Sequence, residues 1–276
     1  MTIDAHQHFW HFDPIRDNWI TNEMDAIRRD FLPADLETVL AQNGIDGCVA
    51  VQAAQSEDET QFLVKMAQAY DFVKGVVGWV DLGSDGLRDR LEFLSQYKEI
   101  KGYRHVAQAE PEDFLIRPAV VRGIRRLAEF GLTYDILIYP NQLKAALQLV
   151  RSAPDVRFVI DHMAKPYVKK GEINRWSNFM TEIAKQPNVS CKLSGLVTEA
   201  DWHYWSKKDF FPYLDVAFEH FSPDRLLFGS DWPVCLVAAN YTQVKTLIDQ
   251  YVEPWGEEVR AKVFGGNAIA FYNLTD

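Results

Sequence analysis

Cysteine is scarce in this chain. Cys48, Cys191 and Cys235 are the full complement, odd in number and far apart, and no Cys-x-x-Cys or Cys/His cluster has structural-zinc spacing. A disulfide framework is excluded, and the three read as small, reduced core residues of a cytoplasmic protein. No apolar stretch approaches the roughly 18 residues of a membrane span, and the first residues lack the basic and apolar regions of a secretory signal. Positive charge is in deficit: 29 Lys and Arg stand against 39 Asp and Glu, a net charge of −10, with no basic run to override it. Nucleic acid and anionic membrane surfaces are therefore disfavoured as main partners. A Ser/Gly linker, a charge block and an internal repeat are also missing, which predicts one domain over residues 1–276.

What the chain does have is apolar mass. Hydrophobic residues make up 47% of it, with 8 Trp, 11 Tyr and 17 Phe, enough for a large buried core. Apolar, β-branched runs alternate with amphipathic stretches from end to end, the pattern of a parallel sheet with crossover helices. The runs predict eight strands, at 3–8, 47–52, 72–80, 100–105, 132–138, 156–162, 189–194 and 225–231. Helical periodicity falls at 35–43, 57–70, 87–97, 118–130, 142–151, 173–185, 211–220, 241–251 and 254–263, the first of these running into Gly44, a helix-stop signal. Such strand–helix units predict an α/β fold, a single (β/α)8 TIM-type barrel. An open doubly wound sheet would place a Gly-rich phosphate loop after the first strand, where this chain has His6-Gln7-His8. Residues 9–34 form a long first loop rich in Trp, Phe, Asp and Pro, expected to cover the barrel mouth, with packing over the rim as the alternative.

Unusual polar residues gather at the strand ends. Asp4, His6 and His8 occupy alternate positions, and side chains two apart on a strand share a face. Three polar groups on one face of a core strand imply that something is bound there. Arg104 and His105 end the fourth strand, His162 the sixth, Lys192 and Ser194 the seventh, and Asp231 the eighth. In this barrel all those ends meet at one mouth, where its chemistry is found. Taken singly, Asp231 could cap the next helix, His162 could be a satisfied core histidine, Arg104 an ion-pair partner, and Lys165 and Lys192 solvated. Alternation puts Arg104 and His105 on opposite faces, so at most one reaches the inner layer. His11, His203 and His220 lie off the strand ends and read as structural or surface residues.

The segments Asp4-Ala5-His6-Gln7-His8, Lys101-Gly102-Tyr103-Arg104, Asp161-His162-Met163-Ala164-Lys165-Pro166, Gly229-Ser230-Asp231-Trp232-Pro233 and Gly266-Asn267-Ala268 span almost the whole chain. In that order they resemble the amidohydrolase superfamily, in its amidohydrolase-related branch. The opening Ile-Asp-Ala-His-Gln-His-Phe-Trp looks most like the sugar-lactone hydrolases of that branch, the fuconolactonases and rhamnonolactonases. The resemblance implies a distorted TIM barrel that hydrolyses an aldono-lactone. Two-metal members of the superfamily carry a bridging carboxylated Lys or Glu on the fourth or fifth strand and a His on the fifth. Here the fifth predicted strand holds Asp135 and neither His nor Lys. The resemblance therefore implies at most one divalent ion, zinc first, on His6, His8, His162 and Asp231, and some lactonases of the branch need none.

Lactone hydrolysis needs an activated water, a polarised carbonyl and a proton for the leaving ring oxygen. Asp231 is the candidate general base and afterwards could return its proton to that oxygen. His6, His8 and His162 are candidate metal ligands, or candidate donors to the oxyanion. Substrate contacts are expected from Arg104 with Tyr103 or His105, from Lys165 and Lys192, and from Trp232 and the loop residue Trp19. The partner is a small-molecule lactone, and a homo-oligomer is left open. Two other readings share these residues: a metal-dependent decarboxylase of an aromatic acid, and a catalytically inactive barrel that binds a sugar acid.

Overall fold

A computed structural model describes residues 1–275. Eight parallel strands lie in chain order, each paired with the next. They are β1 (Ile3–Gln7), β2 (Gly47–Val51), β3 (Val73–Gly78), β4 (Ile100–His105), β5 (Thr133–Ile136), β6 (Arg157–Ile160), β7 (Val189–Leu193) and β8 (Leu226–Phe228). Chain beyond β8 closes the ring. Gln7 bridges Trp232, the Asp231 N–H donates to the His6 carbonyl at 2.8 Å, and the His8 N–H donates to the Trp232 carbonyl at 2.7 Å. The architecture is the (β/α)8 barrel that the alternation predicts.

One helix follows each strand: α1 (Pro33–Gln42), α2 (Glu57–Ala69), α3 (Leu87–Leu94), α4 (Pro118–Leu127), α5 (Leu143–Ser152), α6 (Asn174–Ala184), α7 (Lys207–Phe221) and α8 (Tyr241–Val252). The expected last helix, 254–263, is broken. Only α9 (Glu257–Ala261) is regular, a wider turn follows at Lys262–Gly266, and α10 (Asn267–Tyr272) comes after it. Among the described residues no helix is long and apolar enough to cross a membrane.

Alternation along each strand sorts the core into two layers. Ile3, Ala5, Val49, Val51, Val77, Val159 and Leu227 fill the barrel interior with Ala268, Phe271, Tyr272 and Leu274 from α10 and its end. Cys48, Ala50, Val76, Tyr103, Tyr134, Ile136, Cys191 and Leu193 point the other way, into the layer shared with the helices. Fully burying one such large side chain contributes about 1.5–3 kcal/mol. The interior is apolar, and the polar groups sit above it.

The first strand departs from strict alternation. Asp4 pairs with Cys48 and Gln7 with Ala50, three steps on β1 against two on β2, which is a bulge. Ala5 therefore faces the interior, and so do His6 and His8, while Asp4 and Gln7 turn outward. Asp4 accepts from the Ser230 N–H at 2.9 Å, the Ser230 hydroxyl at 2.6 Å and the Tyr241 hydroxyl of α8 at 3.0 Å. The expectation that Asp4 shares a face with the two histidines is corrected: it ties β1 to the β8 loop. Every expected strand but β4 stops one to three residues early; β6 ends at Ile160 and β8 at Phe228, so His162 and Asp231 stand on the segments just past them.

Candidate active site

Four donor groups converge above the apolar interior. His6 Nε2 lies 3.2 Å from His8 Nε2, and Asp231 Oδ1 lies 3.4 Å from His8 Nε2 and 3.9 Å from the Nε2 atoms of both His6 and His162. The far nitrogens have their own partners. His8 Nδ1 meets the Val51 carbonyl at 2.7 Å, which can only accept, so the proton sits there and the Nε2 lone pair points into the cluster. His162 Nδ1 shares a hydrogen bond with the Ser194 hydroxyl at 2.9 Å. Burial, chiefly, holds all three imidazoles below the usual histidine range. Burial alone would raise the Asp231 carboxyl, but His162, His8 and Lys165 outweigh it and hold it below the ordinary value.

The donor set fits a cation. An imidazole lone pair facing a carboxylate oxygen at 3.4 Å is repulsive unless a proton or positive charge lies between them. Two ligands of one tetrahedral zinc sit about 3.4 Å apart, and the separations here bracket that value. His8 and His162 are oriented from behind by a carbonyl and a hydroxyl, as metal-binding histidines are, while His6 Nδ1 faces Lys192 Nζ at 3.1 Å and Asp161 Oδ1 at 3.3 Å.

Beneath the cluster lies a second layer that is wholly charged. Lys192 Nζ contacts Asp135 Oδ2 at 2.6 Å, Asp161 Oδ1 at 2.9 Å and His6 Nδ1 at 3.1 Å. Arg104 Nη1 contacts Asp161 Oδ2 at 3.1 Å and His6 Nε2 at 3.3 Å, and Arg104 also donates to the Gln52 carbonyl. Asp161 Oδ1 reaches His6 Nδ1 at 3.3 Å, and the Tyr272 hydroxyl of α10 donates to Asp135 at 2.7 Å. Burial opposes ionisation of Asp161, yet Lys192, His6 and Arg104 hold it well below the carboxylate range. Two cations and two carboxylates thus meet with only an edge of Arg104 exposed to the cleft, a layer that survives only intact.

Local backbone presents His162 in an unusual way. His162, Met163, Ala164 and Lys165 take φ values of 52°, 53°, 58° and 48°, four successive left-handed residues with no glycine among them. Each costs on the order of 1–3 kcal/mol, and such strain concentrates at functional sites. Gly195 faces this turn at φ +65°, where a Cβ would stand 2.6 Å from His162 Nδ1. Only glycine fits there.

The cluster floors a cleft of about 650 Å³. Of the expected site residues, His8, His162, Asp231, Arg104, Lys165 and Trp19 line it, and His6 lies directly beneath. Loop 9–34 does cover the mouth: Trp10 and Phe31 exchange backbone hydrogen bonds at 2.9 Å, and Arg16, Asp17, Asn18, Trp19 and Met24 face the cleft. Four expected contacts are not brought there. Tyr103 points outward into the helix layer, and His105 follows it, stacked on Phe114 at 4.5 Å and bonded to Glu110 at 3.1 Å. Trp232 packs on Phe31 at 5.2 Å and Phe9 at 6.4 Å. Lys192 is neither solvated nor in reach of substrate; it sits under His6.

Other residues enter without having been singled out for the site. Asp161 and Gln52 each end an apolar run, and Asp135 interrupts one, signals that the sequence carries. Tyr139, Gln108, Glu199 and Trp202 line the cleft from loops with no periodicity, and nothing in their spacing marks them.

The amidohydrolase family model matches residues 3–274. The chain belongs to the amidohydrolase family. This amidohydrolase is 37% identical over 283 residues to L-fucono-1,5-lactonase of Burkholderia ambifaria, covering 99% of this chain and 95% of the relative. It is 34% identical to L-fucono-1,5-lactonase of Burkholderia multivorans, covering 100% and 97%. Among solved structures, a Burkholderia multivorans amidohydrolase with bound zinc superposes with a TM-score of 0.96 at 34% identity, over 100% of both chains.

Proposed function

We propose that this amidohydrolase opens a sugar-derived lactone of the fuconolactone or rhamnonolactone kind, with Asp231 taking the proton of the attacking water. The observation that carries this reading is the meeting of Asp231 with His6, His8 and His162 at the floor of one cleft. Its size is in the range of small-molecule sites, and full-length likeness to L-fucono-1,5-lactonases gives the substrate class. Trp19, Trp202 and Tyr139 offer faces to a sugar ring. Gln108 lines the same space, with its buried Oε1 lacking a partner among the described residues and free to accept from a hydroxyl.

The chemistry follows from these positions. Asp231 is held ionised, and its Oδ1 stands among the three imidazoles at the cleft floor, where it can take a proton from a water placed there. Arg104, which lines the cleft with Nη1 3.3 Å from His6 Nε2, is the candidate donor to the carbonyl oxygen; losing one such donor typically costs about 3 kcal/mol of barrier. His6, His8, His162 and Asp231 would hold one divalent ion, zinc first, which when bound supplies Lewis-acid polarisation and a more acidic water. A cytoplasmic location and a single functional domain over residues 1–276 complete the reading.

The test is a screen of aldono-lactones in a pH indicator, with aromatic acids followed for CO₂ release in parallel. Acid released from at least one lactone and no CO₂ is the expected result. Decarboxylation without lactone opening would replace this reading with the decarboxylase, and neither reaction would leave a binding barrel.

A further inference from the structure

Lactone hydrolysis moves two protons, one off the water and one onto the ring oxygen that leaves. Asp231 is committed to the first by its place among three imidazoles. The cleft offers few groups for the second. Arg104 is clasped by Asp161 and the Gln52 carbonyl, and Arg16 is bound by both carboxylate oxygens of Asp17 at 2.8 Å. Guanidinium groups also hold their protons too tightly to give them up.

Lys165 differs. It is the one amine among the residues that line the cleft, and it ends the left-handed run begun by His162. Its side chain is 17% exposed, with Nζ 3.7 Å from Glu199 Oε1 and 5.5 Å from the centre of the Tyr139 ring. Glu199 is covered to the same degree, and burial pushes its carboxyl up while Lys165 draws it back down. The strained turn that places His162 therefore also holds an ammonium over the cleft, steadied by a carboxylate from the loop after β7.

We infer that Lys165, held beside Glu199, is the proton donor to the leaving ring oxygen; this rests on the lactonase reading. After water has added to the carbonyl carbon, the bond from that carbon to the ring oxygen breaks and its electron pair stays on the oxygen. The Lys165 ammonium gives that oxygen a proton and becomes a neutral amine. Lys165 regains a proton from solvent and Asp231 releases the one it took, so lactone plus water yields the hydroxy acid alone. An alkoxide is a far stronger base than an amine, so the transfer is downhill.

The experiment compares wild type, Lys165→Arg, Lys165→Met and Lys165→Cys alkylated with 2-bromoethylamine, on whichever aldono-lactone the wild type opens. Cys48, Cys191 and Cys235 are buried, so alkylation is directed to the new thiol. Lys165→Arg keeps the charge without a donatable proton; it should hold KM within about threefold and lose kcat by about 100-fold. Lys165→Met should lose kcat at least as far, and aminoethylation of the cysteine variant should restore kcat to within about tenfold of wild type. Circular dichroism checks each fold, and if the cysteine variant fails to fold, Lys165→Arg decides. Wild-type kcat in Lys165→Arg, or a folded aminoethylated protein with no recovery, would overturn the assignment. A wild type that opens no aldono-lactone would instead overturn the reading beneath it.

Discussion

Lys192 shows what a single residue in this barrel decides. It holds Asp135 and Asp161 at 2.6 and 2.9 Å and supports His6 from below, all without exposed surface. Lys192→Met leaves two carboxylates buried without their shared cation, a loss of about 3–5 kcal/mol. Urea denaturation checks this, and an unchanged midpoint would contradict the burial of the layer. Part of the arrangement is legible in Cys191-Lys192-Leu193, where apolar neighbours put the lysine on the inner face. Its partners are not, because Asp135 lies 57 residues away and only barrel closure brings it close. Glu59 is a second case. It accepts from the Ala53 and Ala54 N–H groups, and burial raises its carboxyl above the usual glutamate value. A raised acid binds more protons folded than unfolded, so wild type loses stability as pH climbs through that window. Glu59→Gln removes the titration and keeps an acceptor. Its stability relative to wild type should rise as pH climbs above the unfolded glutamate value of about 4.3, measured by denaturation at each pH; a fall would reverse the sign.

Among the elements, the alternation of strand and helix was readable from apolar periodicity because each strand is sandwiched between two apolar layers. The departures were not. A bulge is one extra residue, and it turned Asp4 outward while leaving His6 and His8 together. The left-handed turn at 162–165 has no glycine to announce it; the surrounding packing imposes it. Two glycines separate strain from contact. Gly171 has φ +65° with nothing within 4 Å, so Gly171→Ala should cost about 1–2 kcal/mol and leave turnover unchanged. Gly195 has the same φ but faces His162 at 2.6 Å, so Gly195→Ala should cost at least as much stability and also lower kcat by at least about tenfold. Melting curves and initial rates on both variants check the pair, and equal kcat values would show that His162 is not held by this contact.

At the scale of the whole molecule, the barrel brings chain positions more than 200 residues apart to one point: His6 and His8 from its start, Asp231 from its end. The mouth, the cluster and the amidohydrolase resemblance were legible because those residues recur in a fixed order. The outward placement of Tyr103, His105 and Trp232 was obscured because a strand end does not reveal which way each side chain turns. If the cluster holds a divalent ion, zinc binds the folded chain alone and stabilises it by about 2.7 kcal/mol at 100 times Kd. A rise in Tm with zinc in wild type, absent in His8→Ala, is the expected outcome, and equal shifts would place the ion elsewhere. The most direct test of the account is the rate of aldono-lactone opening by Asp231→Asn beside wild type, with fold verified by circular dichroism. A loss of about 10²–10⁴-fold with the fold intact is predicted; a folded variant that turns over at the wild-type rate would contradict it.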